Sequence, residues 1–151
     1  DIHEAKTKIA AAVQSRNSDD FLIAARTDSR ATHGLDEALR RGDAFLCAGA
    51  DILFIEAPQS LEEMQKIKST FPEVPLIANM VEGGKTPELS LEQIDQLGFK
   101  IVLRPVTALL SATDALQRCY SALLNESQHD KPPSMLSFDE YNKMIGLPDY
   151  E

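Results

Sequence analysis

The chain has 151 residues, enough for one ordinary domain with a sizeable core, and its 43% hydrophobic content is that of a folded globular protein, not a disordered tail. With 15 basic against 24 acidic residues the formal charge is −9, which disfavours the phosphate neutralisation on which nucleic-acid affinity depends, so no DNA or RNA partner is expected. No apolar run approaches the roughly 20 residues of a membrane-spanning helix, and Asp1-Ile2-His3-Glu4 is no cationic signal region, which leads to the expectation of a cytosolic or organelle-luminal protein without membrane attachment.

Ile2, Ala5, Ile9, Ala12 and Val13 recur at helical spacing, predicting an amphipathic helix over residues 1–16. A turn at 17–20 leads into Phe21-Leu22-Ile23-Ala24-Ala25, an unbroken apolar run expected of a parallel strand covered on both faces. It stops at Arg26-Thr27-Asp28. A polar loop through His33-Gly34 precedes a helix over 35–48, with Gly49 as its C-terminal stop. The same alternation then repeats: Ile52-Leu53-Phe54-Ile55 ends at Glu56, Pro75-Leu76-Ile77-Ala78 at Asn79, and Ile101-Val102-Leu103 at Arg104-Pro105. Helical patterns fill 60–70, 90–97 and 107–124. Four consecutive βα units, with strand ends at 26, 56, 79 and 104, match the repeat of parallel βα folds.

Two architectures accept this pattern, an open doubly wound sheet and half of a closed (β/α)8 TIM barrel. Every strand delivers a polar or charged residue directly after its apolar run, which suits the C-terminal rim of a barrel better than a single switch point. The expected fold is therefore α/β, the last four βα units of a (β/α)8 barrel over residues 1–126. A polar, proline-bearing linker is expected over 127–136. A helical tail over 137–151 completes the chain, with Ser137 as N-cap and Phe138, Tyr141 and Ile145 on one face, suited to docking on a neighbouring subunit.

The fixed donor fork of Arg26 is suited to holding a carboxylate at two points, or to a structural salt bridge with Glu56; both readings stand together. Glu56 occupies a position where a carboxylate needs a partner. Asn79 can orient a carboxylate or hydroxyl, or cap its own loop. The stretch Asn79 to Pro87, with Gly83 and Gly84, reads as a sharply turned loop and lacks the form of a phosphate-binding loop. His3, His33 and His129 have no metal-ligand spacing, and Cys47 and Cys119 lie apart in helical patterns as two reduced thiols. No GxSxG elbow exposes a serine nucleophile.

Ala25-Arg26-Thr27-Asp28, Gly34-Leu35-Asp36-Glu37-Ala38, Ala48-Gly49-Ala50-Asp51, Phe54-Ile55-Glu56-Ala57-Pro58, Ala78-Asn79-Met80-Val81-Glu82-Gly83-Gly84, Thr86-Pro87 and Pro105-Val106-Thr107-Ala108-Leu109 occur in that order. Together they resemble the isocitrate lyase and phosphoenolpyruvate mutase superfamily, in its methylisocitrate lyase, dimethylmalate lyase and carboxyphosphonoenolpyruvate mutase branch. The resemblance implies a Mg2+-dependent enzyme of a small α-keto or α-hydroxy acid, assembled as a tetramer that exchanges its eighth helix between subunits. It implies that Arg26 binds a substrate carboxylate, that Glu56 supports Arg26 and the substrate, that Asn79 contacts a carboxylate oxygen, and that Pro105 and Thr107 line the pocket.

The leading expectation is a carbon–carbon lyase of a 2-hydroxy di- or tricarboxylate. Phosphonomutase or oxaloacetate hydrolase or decarboxylase chemistry, and a non-catalytic half-barrel module, are the alternatives. The Asp residues that hold Mg2+ in the family and its Lys-x-Cys-Gly-His loop do not occur in this chain. The expectation is that an N-terminal half-barrel supplies them. Arg104 stands where the family pattern has an aromatic or aliphatic residue, and is an extra cation for a second acidic group.

Overall fold

A computed structural model describes residues 1–124 and 135–147 and divides the chain into two compact units, Asp1–Thr107 and Ala108–Glu151. The first unit is four parallel strands with helices between them. Its elements are α1 (Ile2–Ser15), β1 (Ala24–Thr27), α2 (Arg30–His33), α3 (Leu35–Cys47), β2 (Ile52–Ile55), α4 (Leu61–Thr70), β3 (Ile77–Asn79), α5 (Leu91–Gln96) and β4 (Ile101–Leu103). Side-chain caps start the helices where orphan amides need acceptors: Asp1 accepts from His3, Ser60 from Glu63, and Ser90 forms a full capping box with Gln93.

β1 pairs with β2 and β3 with β4, all parallel, and a parallel bridge Leu53↔Leu76 with a Leu53 N–H bond to the Pro75 carbonyl at 3.1 Å joins the two pairs. Spatial order therefore equals chain order, with no reversal. Period-2 alternation sends Ala25, Leu53, Ile55, Leu76 and Ala78 to one face, where they share a core with Phe45 of α3, Met64 and Ile67 of α4 and Ile94 of α5, with Ala5 and Ile9 of α1 packed against it. The other face carries a separate small cluster of Ile52, Phe54 and Ile77 with Ile101 beside it. All packed helices lie on one side of the sheet.

Three local differences from the sequence reading stand out. β1 starts at Ala24, not Phe21, because residues 18–21 close a turn through the Phe21 N–H on the Ser18 carbonyl, and the Asp51 carboxylate takes the Ile23 N–H at 2.8 Å. Phe21 and Leu22 are exposed in consequence. Nor is β1 covered on both faces: Ala25 and Thr27 are buried, whereas Ala24 and Arg26 face outward. The polar loop after β1 contains the extra helical turn α2, whose Arg30 donates to both oxygens of Glu63 at 2.9 and 2.5 Å, tying this loop to α4.

α6 (Thr107–Leu124), whose first residue ends the first unit and whose remainder opens the second, buries none of its residues and exposes Leu109, Leu110, Leu116, Tyr120 and Leu123. α7 (Phe138–Met144) is capped by Ser137 in a capping box with Glu140, and Phe138, Tyr141 and Ile145 are exposed. The linker expected over 127–136 lies outside the described residues except for its last two, as do the final four residues of the tail.

Candidate active site

The site builds from the alternation of the strands. Arg26 lies on the helix-free face of β1 in register with Phe54 of β2, and its guanidinium carbon sits 4.7 Å from the centre of the Phe54 ring. An aromatic face under a cation holds the fork flat. Glu56, two residues beyond Phe54, continues the same face, with its N–H bonded to the Thr27 carbonyl at 3.0 Å. Asn79, two residues beyond Ile77, continues it on β3.

Arg26, Glu56 and Asn79 thus meet at the C-terminal ends of three adjacent strands. Arg26 Nη2 lies 3.5 Å from Glu56 Oε2, and Asn79 Nδ2 donates to Glu56 Oε1 and Oε2 at 3.3 and 3.2 Å. Glu56 is therefore the hub. Asn79 Oδ1 is buried without a hydrogen-bond partner among the described residues, an acceptor open to a ligand's donor.

Arg26 remains about half exposed and is held in a second grip: its Nε and Nη2 donate to Asp28 Oδ1 and Oδ2 at 2.7 and 3.3 Å. These bonds, opposed by burial and aided by the charge of Glu56, raise the Arg26 pKa above its ordinary value, so the group stays cationic. A cavity of about 280 Å³ adjoins Glu56 and Asn79, but not Arg26, and is otherwise walled by Ala31, Ala57 and residues Val81, Gly84, Lys85 and Thr86 of the loop after β3. Ala57 takes φ 54, a left-handed conformation uncommon for a residue with a Cβ, in the first residue after Glu56.

Thr107 lies apart from the trio's hydrogen bonds. Its hydroxyl donates to Glu82 Oε1 in a very short contact, and Glu82 Oε2 is buried without a partner among the described residues. The Thr107 hydroxyl foremost, then the Glu82 backbone N–H and the charge of Arg104, hold the Glu82 carboxyl below the usual carboxylate range against burial. Arg104, expected to meet a ligand, lines a different cavity of about 310 Å³ with Glu82 and Glu88. Pro105, between them on the loop after β4, is exposed.

Sequence reasoning assigned no role to Phe54, Asp28 or Glu82. The first two carried a signal, since Phe54 and Glu56 share a face by period 2 and Asp28 comes two residues after Arg26. Nothing in the sequence pairs Glu82 with Thr107, 25 residues on.

The family profile described as phosphoenolpyruvate phosphomutase matches residues 1–124. The 2,3-dimethylmalate lyase of Eubacterium barkeri is 46% identical over 141 residues, which cover 93% of this chain and 48% of that protein. The 2-methylisocitrate lyase of Bacillus subtilis is 38% identical over 151 residues, covering 99% and 49%. In structure, the chain superimposes on a crystal structure of 2,3-dimethylmalate lyase, described as a member of the PEP mutase/isocitrate lyase superfamily, with a TM-score of 0.89 at 33% identity, over 99% of this chain and 53% of that one. The chain spans about half the length of the curated relatives it matches. Those relatives are lyases by name. The chain belongs to the phosphoenolpyruvate phosphomutase family, within the isocitrate lyase and phosphoenolpyruvate mutase superfamily.

Proposed function

We propose that this chain is the C-terminal half of a (β/α)8-barrel lyase that cleaves a carbon–carbon bond of a small 2-hydroxy di- or tricarboxylate, of the methylisocitrate or dimethylmalate type, into an α-keto acid and a second carboxylic acid. The observation that carries the reading is the convergence of Arg26, Glu56 and Asn79 on the ends of three sequential parallel strands. Four strands in chain order with helices on one side are an arc that a second half-barrel would complete.

In this reading Arg26 holds a substrate carboxylate in two-point contact, with Phe54 beneath it and Glu56 beside it fixing the plane of the fork. Asn79, its amide nitrogen turned toward Glu56, offers Oδ1 to a hydroxyl, the donor that a 2-hydroxy acid brings. Pro105 belongs to the pocket rim. Among the described residues, no group of three or more His, Cys, Asp or Glu side chains could hold a metal ion. In this reading the other half-barrel supplies the ligands of Mg2+, the base for the hydroxyl proton and the acid for the departing carbanion. Through the exposed apolar faces of α6 and α7, the whole protein assembles as a homotetramer exchanging helices.

The test is turnover by the full-length protein with Mg2+ on 2,3-dimethylmalate and 2-methylisocitrate. Arg26→Ala is expected to lower kcat/KM by about 10²–10³-fold, the loss of a charged two-point contact. Being half exposed, it should change stability by less than about 1 kcal/mol. Unchanged kinetics would remove Arg26 from the site, and conversion of oxaloacetate or phosphoenolpyruvate alone would move the assignment to hydrolysis or phosphoryl migration.

A further inference from the structure

We propose that Glu82 is a positioning residue, latched by Thr107, that sets the distance of the loop after β3 from Glu56 and Asn79 and so fixes the size of the cavity between them. The proposal rests on the assignment of Arg26, Glu56 and Asn79 as a substrate site.

Neighbouring rim segments are cross-tied by carboxylates. Arg30 on Glu63 ties the loop after β1 to α4, and Asn79 on Glu56 ties the ends of β2 and β3. Between the loops after β3 and β4 the ties are the Met80 N–H on the Leu103 carbonyl at 2.9 Å and Thr107 on Glu82. The backbone tie fixes only the first residue of the loop. The next few residues form a glycine-bearing turn, with Gly83 at φ 69 and Gly84 closing onto the Val81 carbonyl at 2.9 Å. Val81, Gly84, Lys85 and Thr86, which form one wall of the cavity beside Glu56 and Asn79, lie on this turn. Among the described residues, Glu82 supplies the side-chain hydrogen bond that fastens this turn to the loop after β4.

Arg104, on the loop after β4, supplies the cation that favours the bonded Glu82 carboxylate, while Glu88, which lines the same cavity, is a like charge and opposes it. Arg104 thereby serves an internal carboxylate, and the Thr107 hydroxyl, bonded to Glu82, acts on substrate only through the wall that Glu82 holds.

The test uses the full-length protein with Glu82→Ala, Thr107→Val and Thr107→Ser, assayed on 2,3-dimethylmalate and 2-methylisocitrate, with amide hydrogen exchange of residues 80–87 measured by mass spectrometry without substrate. Glu82→Ala and Thr107→Val are expected to lower kcat/KM by about 10- to 100-fold, chiefly through KM, and to speed exchange at 80–87 by about tenfold. Thr107→Ser, which keeps the hydroxyl, is expected to restore both to within about threefold of wild type. Exchange at 80–87 unchanged by Thr107→Val, or Thr107→Ser behaving like Thr107→Val, overturns the latch. Absence of turnover in the wild type refutes the substrate reading instead, and the exchange comparison then decides the latch by itself.

Discussion

Arg26 is already paired with an anion, since Asp28 occupies one edge of its guanidinium. Under the proposed function, a substrate carboxylate would have to exchange with that of Asp28. The ends of the apolar runs located Arg26, Glu56 and Asn79 at the strand ends, whereas their sharing one face depends on the register of Arg26 with Phe54, which the sequence does not state. The Asp28 grip had a local signal in its spacing of two from Arg26, whereas the Glu82 bond to Thr107 was not legible, because side-chain pairing across 25 residues depends on backbone paths that periodicity does not encode. Elsewhere, Glu37 of α3 accepts from Arg40 at 2.7 and 2.9 Å and from Arg41 at 2.8 Å, and Arg40 foremost, with Arg41, draws its carboxyl down to about 2 against burial. The folded pKa lies below the unfolded one, so the stabilisation is complete above about pH 4.5 and is lost as pH falls toward 2. Urea midpoints measured between pH 5 and 2 should fall more steeply for the wild type than for Glu37→Gln. Equal slopes in the two proteins would mean that the fork does not stabilise the fold.

At the level of elements, helices and strands were predictable to within a few residues where an apolar period and a cap coincided, as at Ser60, Ser90 and Ser137. The start of β1 was not, since Phe21-Leu22 are as apolar as the strand they precede and only the claim of Asp51 on the Ile23 amide decides where pairing begins. α3 shows a second limit. A Cβ on Gly42 would come within 2.9 Å of the Phe71 ring and 3.3 Å of Leu53, both buried, so this mid-helix glycine lets α3 lie close on β2. Alanine there gains about 1 kcal/mol of helix propensity and loses about 1–3 kcal/mol to overpacking. The expected result is a Gly42→Ala protein destabilised by about 1 kcal/mol in urea unfolding. A stabilised variant would show that the Phe71 ring yields freely.

For the whole molecule, the order of the strands was the hardest property to read, because apolar runs at regular intervals fit a doubly wound sheet equally well. The polar residue after each run was the discriminating signal, and the observed order β1-β2-β3-β4 agrees with it. Among the described residues no helix is long and apolar enough to cross a membrane, and α6 and α7 expose leucines and aromatic residues. A homotetramer that exchanges helices predicts a tetrameric mass for the full-length protein by light scattering, falling to a smaller species when residues 135–151 are removed. A tetramer indifferent to that truncation would place the subunit contacts elsewhere.

Chain-order pairing leaves β1 and β4 at the two margins of the sheet, each with a row of amide and carbonyl groups turned away from its neighbour. Both margins run in the same direction, so a strand that extends the ladder with the same polarity must arrive by a crossover and not by a tight hairpin. Each margin is thus a template for a further strand, and under the proposed function the other half of the barrel would pair with both.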